Sequence, residues 1–411
     1  MIATLLKRLL QLIGLVLIIL VGIVGVSWYI ESRPVPKEEE SALIESTILE
    51  LTDILHHQYD HASIGTDETW RKTKFLRDTH PKANACVRAN FSVEPNLPPE
   101  LAIGVFKGPS DGSGKYKAWL RFSNSANMVA PDADVDFRGI AIKLMGVDGE
   151  RLPVPGDEQH TQDFLFIGND AFFAGNIRHF HDFFAACKRG GYACTPTSLP
   201  FVWNLLIHPH GAYNLLTGRK AFAAISDIFW FSVAPYTLQE TGGPSSIIKY
   251  GAFPCDGKKS RWDAPGTSPN YLTERLAEEL DPAKPDSGVC LDFMVQIRAD
   301  DSQPIDTTLV AWDKKKSPWH KIGRLDIYPQ AFQSPEQWAF CQNLTYNPWH
   351  GLAAHTPLGD INRARRDVMK AMQDVRLREN GNQRFEPTGN EVFFHGAEHP
   401  WLTPAPSPSA N

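Results

Sequence analysis

At 411 residues, with 42% hydrophobic and 11% aromatic content, the chain can bury one large core or two smaller ones, which excludes disorder for most of its length. Its net charge of −6 gives no general attraction to phosphate backbones and no basic aromatic stripe occurs, so a nucleic-acid partner is not expected.

Residues 9–30 carry no charge, and only Gln11 and Ser27 among them are polar. At about 1.5 Å per residue, such a helix crosses a hydrocarbon core of roughly 30 Å. Lys7 and Arg8 precede it, no small-x-small cleavage site follows, and Trp28 and Tyr29 sit where an interfacial aromatic belt belongs. The segment reads as an uncleaved signal anchor. Residues 1–8 would be cytoplasmic and the main domain periplasmic or otherwise extracytoplasmic, although Arg33 and Lys37 on the far side reduce the charge asymmetry.

Residues 31–69 read as a polar linker followed by an amphipathic helix over 41–57 with apolar residues near 3.6 spacing. His56, His57 and His61 fit an exposed helix end better than a metal site. Between 70 and 380, strand signals fall into two sets of four: 85–93, 117–123, 137–144 and 162–167, then 228–238, 246–253, 289–299 and 320–328. Helices are expected over 171–188 and 199–216 between the sets, and over 361–378 after them. This pattern suits an α+β fold: an eight-stranded antiparallel β-barrel with appended helices, preceded by one transmembrane helix. Residues 381–411 form a C-terminal extension that becomes a loose Pro/Ser/Ala-rich tail from 400 onward.

The six cysteines are too few and too scattered for a disulfide framework in a chain this long, and no Cys-x-x-Cys occurs. Cys187 and Cys194 alone are near enough in sequence to suggest a bridge; Cys86, Cys255, Cys290 and Cys341 read as buried free thiols. His350 and His355 lack a carboxylate at ligand spacing and read as structural, and the Gly-rich stretches at 108–114 and 242–243 read as turns.

The chemistry concentrates elsewhere. Arg77-Asp78-Thr79-His80 stands before an alternating strand, and Arg121-Phe122-Ser123-Asn124 follows on the next one. A histidine at a strand mouth, two arginines and a hydroxyl can supply a proton shuttle, anion anchors and a group that fixes the imidazole tautomer, a combination that suggests a haem pocket.

Five stretches carry a resemblance in the same order: Arg77-x-x-His80-Pro-Lys, Leu120 to Asn124, Asp136-Phe137-Arg138-Gly139, Asp163-Phe164-Leu165-Phe166-Ile167, and Asn347-Pro348-Trp349-His350 through Arg365. Together they resemble the catalase superfamily, in particular its short catalase-like haem proteins, the branch that includes allene oxide synthase domains. The resemblance covers residues 70–380 and implies a catalase-like haem domain with haem b; nothing specifies NADPH. It implies that His80 moves a proton between peroxide oxygens, that Ser123 sets its tautomer, and that Arg77 and Arg121 meet the haem propionates.

Two departures matter. Catalases place an asparagine on the distal side; the corresponding stretch here is Thr161-Gln162-Asp163, so Thr161 or Gln162 would meet the peroxide instead. On the proximal side the family has Arg-x-x-x-Tyr with an iron-bound tyrosinate, whereas Arg365 is followed four residues later by Met369, and no tyrosine occurs after Tyr346. A neutral thioether favours ferrous iron, while a phenolate stabilises oxidised iron. Three readings of Met369 stay open: axial ligand, neighbour of a haem ligated otherwise or by no side chain, or core methionine in a chain without haem. The expected protein is a membrane-anchored, haem-dependent oxidoreductase acting on hydrogen peroxide or organic and lipid hydroperoxides, a weak catalase at best. The alternative is a haem-binding sensor or pseudoenzyme. The sequence does not specify an oligomeric state.

Overall fold

The computed structural model describes residues 2–61, 75–157, 159–192, 194–195, 197–255, 257 and 265–393. The expected boundary between 69 and 70 and the tail from 400 lie outside the described residues. Helix α1 (Ile2–Glu31) contains a stretch from Leu6 with a mean hydropathy of 2.9, long and apolar enough to cross a membrane.

The strands are β1 (Ala83–Val93), β2 (Lys115–Asn124), β3 (Arg138–Met145), β4 (Thr161–Ile167), β5 (Trp230–Phe231), β6 (Tyr236–Leu238), β7 (Ser246–Pro254), β8 (Val289–Ile297) and β9 (Trp319–Ile327). They pair antiparallel in the order β5-β4-β3-β2-β1-β9-β8-β7-β6, and a β5–β7 pairing closes the barrel. β5 and β6 are two pieces of the single strand expected over 228–238, so the barrel has the expected eight strand positions. The break lies at Ser232–Pro235, where Val233 has a φ of 52°, a conformation that β-branched residues rarely adopt.

Strand alternation divides the residues between two faces. Val87, Leu120, Phe122, Ile140, Ile142, Phe164, Tyr250 and Phe293 belong to the barrel core. Arg121, Ser123, Gly139, Ala141 and Leu165 occupy the alternate positions on β2 to β4. A helical layer covers that outer face: α2 (Lys37–Asp60), α3 (Ile177–Arg189), α4 (Leu199–Ile207), α5 (Pro209–Gly218) and α8 (Asp360–Glu379). Helices α6 (Tyr271–Glu279) and α7 (Pro335–Asn343), not anticipated from the sequence, pack elsewhere on the barrel.

The helix in the presumed linker region is part of the domain. Ile44, Leu51, Ile54 and Leu55 of α2 are buried in the layer with α3 and α8, and Glu40 pairs with Arg363 at 2.9 Å. The helix expected over 171–188 starts only after Asn176, whose side chain caps α3. The one expected over 199–216 breaks at His208-Pro209, because proline has no N–H to continue the ladder.

The reading of four cysteines as free thiols is overturned. All six cysteines pair, as Cys86–Cys341, Cys187–Cys194 and Cys255–Cys290. The first joins β1 to α7 across 255 residues, a separation at which no local sequence signal exists. Replacing Cys86 and Cys341 by alanine should lower unfolding free energy by about 2–5 kcal/mol, read by chemical denaturation under oxidising conditions.

Candidate active site

A cavity lies between the outer face of β2 to β4 and helices α2, α3 and α8. Counted to its mouth, the open solvent there included, it encloses about 1270 Å³ of empty space. Its mouth and walls expose far more apolar than polar surface, from Leu51, Ile140, Leu165, Phe172, Ile177 and Val368 among others.

His80 enters this cavity just before β1, with a φ of 59°. A non-glycine residue in the left-handed region stores strain, which the surroundings must hold. Two groups do so. Arg121 on β2 donates to the His80 carbonyl at 2.8 Å, and Ser123 Oγ lies 3.0 Å from His80 Nδ1. Gly139 on β3 leaves the ring its place: a Cβ there would come within 2.7 Å of His80 Cε1. Burial, then Arg121 and Arg77, push the imidazole down to about 3, so it is a neutral base at ordinary pH. Gly139→Ala should displace the ring, break its Ser123 bond and cost about 10²-fold in any reaction that uses His80, measured by stopped-flow with peroxide.

Around His80 the charge of the cavity lining is one-sided. The lining holds four guanidiniums, Arg77, Arg121, Arg365 and Arg376, against one carboxylate, Asp78. Arg77 donates to the Leu344 carbonyl at 2.7 Å, Arg376 to the Gln342 carbonyl, and Arg365 to Asn362 Oδ1 at 3.3 Å, all neutral acceptors. Burial lowers Arg77, Arg365 and Arg376 from their ordinary values, and for Arg376 the nearby Arg77 and Arg121 add to the effect. Guanidinium does not give up its proton in a protein, so the cluster sets four positive charges against one lining carboxylate, an excess that suits an anionic occupant. Arg77 Nε and the Tyr346 hydroxyl, both buried, have no hydrogen-bond partner among the described residues. Burial pushes the Tyr346 phenol up, which keeps it a neutral donor. Apolar walls with a cationic cluster fit a flat macrocycle carrying two carboxylates, so these residues fit haem.

Helix α8 supplies one wall. Arg365, Val368, Met369, Met372, Gln373 and Arg376 all line the cavity, on the same face at i, i+3, i+4, i+7, i+8 and i+11. The Met372 sulfur accepts from Thr52 on α2 at 3.7 Å; Met369, one turn earlier, carries the other thioether of this wall. Arg376, Gln373 and Tyr346 were missed in the sequence reading. The signal for Arg376 was there: it lies seven residues past Met369, two turns of helix on the same face.

Arg77, His80, Arg121, Ser123, Arg365 and Met369 thus converge on one cavity. Thr161 and Gln162 do not line it, and the expectation that either meets a ligand there is corrected. Gln162 alternates onto the barrel side of β4, where its Oε1 accepts from Leu352 N at 3.0 Å. Thr161 is on the outer face but at the far end of the strand, paired with Met145, while Ile167 pairs with Gly139 beside His80. At about 3.3 Å per residue, those two ends of β4 are roughly 20 Å apart. Thr161 belongs to a buried network in which Lys143 binds Thr161 Oγ1 at 3.2 Å and Asp163 at 2.8 Å, while His350 bridges Asp163 and Asp157. His350 is structural, as expected, and so is His355, bonded to the Tyr250 hydroxyl at 2.8 Å. The part of β4 that reaches the cavity is Leu165, Phe166 and Ile167, so β4 contributes no side-chain amide to it.

No family model and no curated protein sequence matches the chain. Solved structures do match in fold. A fungal catalase superposes with a TM-score of 0.59 at 17% identity, covering 74% of this chain and 60% of that one. Catalase A from Saccharomyces cerevisiae gives 0.59 at 17%, covering 75% and 62%. A bacterial catalase gives 0.57 at 16%, covering 80% and 66%. The chain therefore has a catalase-like fold, and it spans about three fifths of the length of the first two.

Proposed function

We propose that this chain is a haem protein of the short catalase-like kind, held at a membrane by α1, that reduces peroxides and is a poor hydrogen peroxide dismutase. The observation that carries the reading is the pairing, in one cavity, of a neutral His80 oriented by Ser123 with a cluster of four arginines. Arg77, Arg121 and Arg376 would hold the propionates of haem b, and Tyr346 can donate to one of them. The bound haem supplies redox-active iron. His80 takes the proton from one peroxide oxygen and returns it to the other, so that the leaving oxygen need not depart as hydroxide. Hydrogen peroxide fits this scheme, and so do organic or lipid hydroperoxides, which a membrane-held domain would meet at high local concentration.

Met369 and the apolar end of β4 favour a second reading: a haem-binding sensor or pseudoenzyme without turnover. The three disulfides support an oxidising compartment for the domain, in keeping with a cytoplasmic N-terminus and an extracytoplasmic pocket. The test is an absorption spectrum of the full chain in detergent after expression with haem supply. A Soret band with peroxide-dependent bleaching of a reducing dye supports the enzyme, a band without turnover supports the sensor, and no band refutes both.

A further inference from the structure

Helices α4 and α5 form a hairpin with an outward face unlike the rest of the domain. Between Arg189 and Arg219 the chain contains no Asp, Glu, Lys or Arg. Phe201, Asn204, Leu215 and Asn214 turn inward and are buried. Leu199 and Trp203 are 82% and 64% exposed, and Leu206, Tyr213 and Leu216 are exposed with them. Scattered exposed leucines need no explanation, but five exposed large apolar side chains, two of them aromatic, on two neighbouring short helices do.

The position of this face tells what covers it. The end of α1, from Ser27 to Glu31, docks on the domain beside the hairpin. The Trp28 ring packs tilted against His210, centroids 4.7 Å apart, and the buried Glu31 carboxylate accepts from His208, the residue that joins α4 to α5. Asn176, the cap of α3, donates to the carbonyls of Ile30 and Arg33 at 2.9 and 3.0 Å. Between Leu9 and Val26 α1 carries no charge, and nearly all of its described side chains there are exposed. A helix that leaves a bilayer at Glu31 therefore brings the hairpin to the height at which Trp28 and Tyr29 sit in the headgroup region.

We propose that α4 and α5 are a second membrane contact, an interfacial hairpin whose Leu199, Trp203, Leu206, Tyr213 and Leu216 enter the acyl boundary of the leaflet that α1 exits. The proposal rests on α1 spanning the bilayer. The docked end of α1 already holds the domain against the membrane, and the hairpin adds a second contact that fixes its tilt. The Cys187–Cys194 disulfide ties the segment leading into α4 to the end of α3, and Ile177 and Phe180 of α3 line the cavity. The hairpin thus holds one wall of the peroxide pocket next to the lipid.

The test uses the full chain in phosphatidylcholine vesicles, comparing the wild type with Trp203→Phe, so that the difference emission belongs to Trp203. With acyl chains brominated near the headgroup, about 5–10 Å deep, the Trp203 emission should be lost, while aqueous iodide should leave it unchanged. Carbonate washing reads α1 separately: protein stripped from the vesicles refutes the span, and with it the hairpin contact. Protein that resists carbonate while Trp203 is quenched by iodide and not by bromolipid refutes the hairpin contact alone. Protection from both quenchers means a protein surface, such as a second copy of this chain, covers the face, and also overturns the proposal.

Discussion

Replacing His80 by alanine should lower the rate of peroxide reduction by about 10²–10⁴-fold, the usual contribution of a positioned acid–base group, without loss of the Soret band. The retained band matters because Arg77, Arg121 and Arg376 anchor the haem in this reading, and none of them is altered. Stopped-flow with hydrogen peroxide and with an organic hydroperoxide measures the rate; an unchanged rate in the variant would remove His80 from the chemistry. Ser123→Ala should cost less, since it frees the ring without removing it.

The same histidine predicts a pH dependence. Burial, then Arg121 and Arg77, hold it down to about 3, so the base stays available through the mildly acidic range. No loss of activity from His80 protonation should occur between pH 8 and 5. Stability behaves differently. The unfolded chain binds a proton at His80 below about 6.5 while the native state does not until about 3, so this group makes stability fall as pH drops through that window, by about 1.4 kcal/mol per unit. His80→Ala removes the proton-binding difference and should flatten the acid limb of the unfolding curve. Equal acid limbs in the two proteins would show that the imidazole is solvated in the fold.

Much of this architecture could be read from the residues. The barrel strands announce themselves by alternation, and the order of the five stretches from Arg77 to Arg365 located the pocket residues before any coordinates. What failed did so for physical reasons. Val233 breaks a strand because the backbone at Ser232 to Pro235 is held by tertiary contacts, Ser232 N to Tyr250 O at 3.0 Å among them, which no local propensity encodes. The misplacement of Thr161 and Gln162 was an error of register: moving along β4 by one residue changes the face, and moving by four changes which end of the barrel is meant. The Cys86–Cys341 bridge was invisible because its partners share only the fold. Arg376 was overlooked because arginines near a helix C-terminus usually serve the helix dipole, and only the shared face with Arg365 and Met369 distinguishes it.

If the pocket holds haem as proposed, Met369→Tyr should raise hydrogen peroxide dismutation. In the proposed pocket, position 369 faces the haem one turn after Arg365, whose guanidinium lines the same cavity and donates only weakly to Asn362 at 3.3 Å. A phenol placed at 369 meets that cation in a buried site, and the cation favours its ionised form. The side chain of Met369 borders empty space, so the added ring need not displace packed neighbours, and overpacking of the kind that costs about 1–3 kcal/mol in a full core is avoided. An anionic ligand stabilises oxidised iron where the thioether does not. The expected results are a shifted ferric spectrum, a lower reduction potential, and a gain in hydrogen peroxide dismutation of about tenfold or more, equivalent to about 1.4 kcal/mol of barrier. Met369→Phe supplies the same bulk without a ligand and should gain none of these. If Met369→Tyr leaves spectrum, potential and rate unchanged, position 369 does not face the iron. If Met369→Ala also leaves the spectrum intact, the native methionine is not a ligand and the iron depends on another group or on none.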